Sequence, residues 1–73
     1  MGYEDKPVWA IKFRNHCANN NIKAKDLVKI LDVSISTVYK YWSGKIAVPD
    51  DKKKILKERT GMNIYEVFYN EEL

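Results

Sequence analysis

The sequence predicts an all-α domain built from five short helices. Three observations predict it. Apolar residues recur at i, i+3, i+4 and i+7 in one segment after another, which is the spacing of a helix face. Those segments are bounded by residues that start or stop helices. No segment carries the period-two alternation of a half-buried strand. At 73 residues the chain reads as one domain over its whole length. A domain of this size buries roughly 60% of its unfolded surface, enough for a compact bundle but not for a catalytic cleft and its supporting shell.

Each helix has a local reason. Pro7 suits a first helical turn, where its missing N–H costs little, and helix one is expected over residues 8–20. Trp9, Phe13, His16 and Cys17 share one of its faces, and Asn21 suits a left-handed residue after its end. Helix two is expected over 24–31, with Leu27, Val28 and Leu31 as its apolar stripe. Asp32 then makes a turn, Val33 points back inward, and Ser34 caps helix three over 35–42, where Val38 and Tyr41 face the core. Two short helices joined by so tight a turn read as a helix-turn-helix spanning 24–43. Gly44 terminates helix three, and residues 45–49 form a loop ending at Pro49. Asp50 and Asp51 place carboxylates at the positive end of helix four, and Lys52, Lys53 and Lys54 read as a solvated first turn. Helix four ends near Gly61, and Asn63 with Glu66 forms a capping box that opens a short helix five. The aromatic segment 65–69 either completes the core or forms a dimer contact.

Composition removes several classes of function. The 45% apolar and 32% charged content is that of a globular chain, and a net charge of +3 permits nucleic-acid binding without demanding it. One cysteine, Cys17, allows neither an intrachain disulfide nor a cysteine zinc cluster and fits a reducing, cytoplasmic setting. No apolar run reaches the ~20 residues that span a bilayer, so no membrane partner is expected. The N-terminus lacks the basic-then-apolar pattern of a signal peptide. His16 stands without Cys, His or acidic neighbours at ligand spacing, and Asp50 and Asp51 are adjacent rather than facing. The expectation is a protein that is not an enzyme and takes no metal, cofactor or small-molecule substrate.

Residues 22–68 resemble the helix-turn-helix domains of the phage Cro and repressor class, at Leu27, Leu31, Val33, Ser34, Val38 and Gly44. Four departures carry information. Asp32 stands where the family usually has glycine or a small polar residue, and Asp tolerates left-handed dihedrals. Val28 replaces a common alanine. Cys17 and Trp42 occupy positions where many members pair Arg with Glu; both are uncharged, so no lone charge is buried, and they read as core packing with a sulfur–aromatic contact. Ala24 replaces a glutamine that anchors a phosphate.

By the same resemblance, the groove-facing positions are Ile35, Ser36, Tyr39 and Lys40, with Thr37 and Ser43 beside them. Base reading rests mainly on bidentate Arg–guanine and Asn or Gln–adenine pairs, and none of those residue types occurs in 24–43. Lys23, Lys25, Lys29 and Lys45 supply an electrostatic rim. An apolar and aromatic centre with a polar rim suits a protein partner. In size, fold and exposed face the chain is similar to the modulator-of-repression antirepressors of temperate lactococcal phages. That resemblance implies a partner repressor whose DNA-binding domain is blocked, in the cytoplasm of a bacterial host. The alternative is a Cro-like repressor that binds operator DNA directly.

Overall fold

The computed structural model describes residues 6–69. Five helical elements follow one another: α1 Val8–Asn19, α2 Ala24–Leu31, α3 Ile35–Ser43, α4 Asp50–Thr60, and a C-terminal turn Tyr65–Tyr69. The fold class is all-α, and no strand occurs among the described residues. α2 packs on α3 and on α4, while α1 packs on α3 and on the C-terminal turn.

The ends of the helices follow from single residues. Ser34 Oγ accepts the Thr37 N–H at 3.2 Å, so α3 has a true N-cap. At the start of α2 the Asp26 carboxylate accepts the Lys23 N–H at 2.9 Å. A lysine side chain has no acceptor to return, so this is half of a capping box. Asn21 and Asp32 take φ of 57° and 56°, the left-handed turns expected of them. Gly44 (φ 79°) does more than end α3: a Cβ added there would run into the Pro7 ring. This close approach ties the start of α1 to the end of α3. The helix boundaries differ from expectation by one residue, with α1 ending at Asn19 and α3 reaching Ser43, where end residues routinely fray.

Twelve of the buried side chains form one cluster, centred on Phe13, Leu27, Leu31, Val38, Leu56 and Met62. α1 contributes Ala10, Phe13 and Cys17, all fully buried, while Trp9 is half-buried at the edge. Among the described residues no polar or charged residue is buried. No helix of the described residues is long and apolar enough to cross a membrane.

One expectation for the C-terminal half needs correcting. The three lysines of α4 are not one solvated turn. Lys52 Nζ reaches back to donate to the Leu31 carbonyl at 2.7 Å, putting a cation on the negative end of α2. Lys53 Nζ lies 5.1 Å from the Phe68 ring centroid and 4.5 Å from that of Tyr69. Lys54 alone is exposed. The expected short fifth helix is present as a single turn of π type. Asn63 Oδ1 does accept the Glu66 N–H at 3.2 Å, as a capping residue should.

That turn settles what residues 65–69 do within the chain. Val67 is buried, and Phe68 packs against Trp9 at 5.8 Å and Phe13 at 5.6 Å between ring centroids. The segment completes the core from one side and leaves Tyr65 and Tyr69 outside.

Candidate functional site

The candidate site is the outer face of α3. Its inner side is fixed by Val38, Tyr41 and Trp42, all buried. With the helix clamped there, the 100° step per residue places Ile35, Tyr39, Ser43, Ser36 and Lys40 within about 140° of arc on the opposite side. Ile35 is 46% exposed and Tyr39 55%, one turn apart. Ser36 and Lys40 are exposed beside them. The structure thus brings together five of the six residues expected there.

The sixth, Thr37, falls about 60° outside that arc and is half-buried. Its hydroxyl lies 2.9 Å from Ser34 Oγ, which is also 3.1 Å from Ser36 Oγ. Three hydroxyls therefore knit the start of α3, and Thr37 serves the cap more than the surface. Ser43 is half-buried, and its hydroxyl donates to the Lys40 carbonyl at 3.2 Å. Ile35, Tyr39 and Lys40 remain as the exposed centre.

Tyr39 is not a loose side chain. Its ring meets Trp42 edge-on at 5.9 Å, and Trp42 meets Phe13 edge-on at 6.5 Å. A line of three aromatic rings thus runs from the surface to the core and fixes Tyr39 at low entropic cost. Cys17 lies behind Trp42, as the paired uncharged positions imply. Burial pushes the Cys17 thiol up to about 11, an effect that the neighbouring Trp42 indole N–H offsets in part. That N–H nevertheless makes no hydrogen bond of acceptable geometry. The thiol is protonated and inert at neutral pH. Burial, and then the charge of Asp51, raise the Tyr41 phenol, which also stays neutral.

Of the rim lysines, Lys23 lines a cleft together with Tyr39 and Trp42. Lys25, Lys29 and Lys45 are exposed on α2 and after α3 but do not line that cleft. Arg14 is a surface residue absent from the sequence-based site: its guanidinium carbon stands 5.6 Å from the Trp42 ring centroid. The signal for it was charge distribution. Residues 6–48 carry eight Lys and Arg against two Asp, whereas residues 49–69 are nearly balanced. The α1–α3 half is the cationic half of the molecule.

Among the described residues, no group of three or more His, Cys, Asp or Glu side chains is placed to hold a metal ion. No family model, curated protein or solved structure matches the chain.

Proposed function

We propose that this chain is a small switch regulator of the phage type, an antirepressor that docks the outer face of α3 onto the DNA-binding domain of a repressor. In this reading it works without catalysis or cofactor in the cytoplasm of a bacterial host. The helix-turn-helix of α2 and α3 acts as a scaffold for protein recognition. One observation carries the reading: the presented centre of α3 is Ile35 and Tyr39, with a fixed aromatic behind it, where a base-reading helix needs Arg, Asn or Gln. A rigid, partly exposed tyrosine next to an aliphatic side chain is the usual make-up of an interface hot spot.

The test is co-purification with the repressor of the same switch, with and without its operator. We expect a chain–repressor complex that excludes operator DNA. A ternary complex holding all three components would sink the competition mechanism.

A second reading has its own observation. The cation excess of residues 6–48 suits a phosphate backbone, as in a Cro-like repressor on operator DNA. It predicts a salt-sensitive mobility shift with promoter duplex that exceeds the shift with random duplex. Equal shifts with the two duplexes would remove it.

A further inference from the structure

Beside the α3 face lies a solvent-open cleft of about 270 Å³, between α1, the start of α2 and α3. Ile22, Tyr39 and Trp42 supply its apolar wall, Arg14 and Lys23 supply its charge, and among the described residues no acidic side chain lines it. A smaller cleft of about 150 Å³ is also lined by Arg14 and Trp42, so these two residues form the ridge between two hollows.

The state of Arg14 is the informative part. Its guanidinium rests on the Trp42 ring at 5.6 Å, and that ring is held in turn by Phe13 and Tyr39. Among the described residues Arg14 has no hydrogen bond and no ion pair. A guanidinium stacked on an aromatic face keeps the N–H groups along its edge free, in a planar fork that matches a carboxylate. Lys23 adds a second positive charge at the same cleft. Its backbone N–H is used by Asp26, but its ammonium has no anionic partner among the described residues.

We propose that this cleft seats a glutamate or aspartate side chain of the partner protein, with its carboxylate between Arg14 and Lys23 and its aliphatic stem against Ile22 and Tyr39. This inference rests on the protein-docking reading of α3 and names the chemistry of its partner: an acidic residue next to an apolar patch. Cations with no acid beside them among the described residues define the charge of the occupant, and the apolar wall defines its stem. Duplex phosphates run along convex ridges and are met by exposed donors. They would cover Ile22 and Tyr39 with charge and gain nothing from them.

The experiment uses the full chain, labelled for NMR, and two blocked peptides: an amphipathic helix with one central glutamate among leucines and alanines, and its Glu-to-Gln copy. We expect the glutamate peptide to shift the Trp42 indole and Arg14 side-chain signals and to bind about tenfold more tightly than the glutamine copy, the usual worth of a charge-assisted hydrogen bond. Arg14→Gln should abolish that preference while leaving weak binding of the glutamine peptide unchanged. Arg14 is exposed, so the variant should fold, and its melting curve checks this. Equal binding of the two peptides, or a preference that survives Arg14→Gln, overturns the proposal. So does a random DNA duplex that moves the same signals at about 150 mM salt when the glutamate peptide does not. A parallel titration with the repressor's DNA-binding domain separates the two ideas. Binding that ignores Arg14→Gln and Lys23→Gln sinks the cleft and leaves docking intact. Absence of binding by the wild-type chain sinks docking, and the peptide preference then stands or falls by itself.

Discussion

Two patches of this molecule expose a pair of large side chains one helical turn apart: Ile35 with Tyr39 on α3, and Tyr65 with Tyr69 in the C-terminal turn. By exposure alone the second pair looks more like a binding site, since Tyr65 is 68% and Tyr69 55% exposed. Their surroundings differ. The two C-terminal rings lie 5.8 Å apart, and the Tyr69 hydroxyl accepts from Lys53 at 3.1 Å. The same ammonium covers the Phe68 and Tyr69 rings and sits 3.7 Å from Asp50. In that patch the cation and the Tyr69 hydroxyl are engaged with each other, and Lys53 straps the core shut. Around Tyr39 the cations Arg14 and Lys23 meet no anion among the described residues. Exposure is therefore a weak sign of a site; unused polar groups beside a rigid aromatic are a stronger one.

Phe13 offers the most severe test of that contrast because it backs both patches, touching Trp42 on one side and Phe68 on the other. Phe13→Ala should destabilise the fold by about 3–5 kcal/mol, read from urea unfolding, and should loosen both patches together. A loss below about 1 kcal/mol would mean that the patches are held independently. Next in size is the pair Tyr39→Ala and Tyr65→Ala. The first should weaken binding to the repressor domain by about 2 kcal/mol, a hot-spot loss, and the second should leave it unchanged. Neither should move stability by more than about 0.5 kcal/mol. If Tyr65→Ala weakens binding and Tyr39→Ala does not, the roles of the two patches are reversed.

The contrast also marks where the sequence was readable. The buried side of α2 and α3 was legible because its rules are local. Leu27, Leu31 and Val38 fall at helical offsets, Ser34 is the residue type an N-cap needs, and Asp32 and Gly44 suit left-handed turns. The outward residues Ile35, Tyr39 and Lys40 came from the resemblance to the phage helix-turn-helix class, and the exposure of all three agrees with it. What was not legible depends on partners far along the chain. Lys52 takes its role from the Leu31 carbonyl and Lys53 from Phe68 and Tyr69, so three consecutive lysines could not be told apart. Arg14 gains its position only from Trp42. Ala10 was overlooked because it is small; it is buried where Pro7 and Gly44 close over the start of α1.

Lys53→Met tests the strap more gently. The thioether keeps the packing against Phe68 and Tyr69 and removes the ammonium, with its ring contacts, its exposed hydrogen bond to Tyr69 and its pairing with Asp50, so a loss of about 0.5–1 kcal/mol is expected, with repressor binding unchanged. A change in binding would mean that the second patch also faces the partner.

The smallest effect concerns His16, at the seam between α1 and the C-terminal turn. Its Nε2 is buried without a hydrogen-bond partner. Burial lowers its pKa below the ordinary 6.5, while the Thr60 backbone pulls weakly the other way. The folded chain therefore holds a neutral ring at pH values where the unfolded chain already binds a proton. The stability linked to this ring is fully present above pH 6.5, declines as pH falls through that value, and levels off below the folded pKa. Subtracting the unfolding profile of His16→Gln from that of the wild type should isolate a small step in that window. Lys12 and Glu66 flank the same seam, so the subtraction is needed to remove charges that both proteins share. The α3 helix carries no histidine and no carboxylate. The ratio of repressor affinities for the wild type and His16→Gln should thus be the same at about pH 5.5 and pH 7.5. A ratio that changes with pH would show that the seam and the α3 face are coupled, and the separation of the two patches would fail.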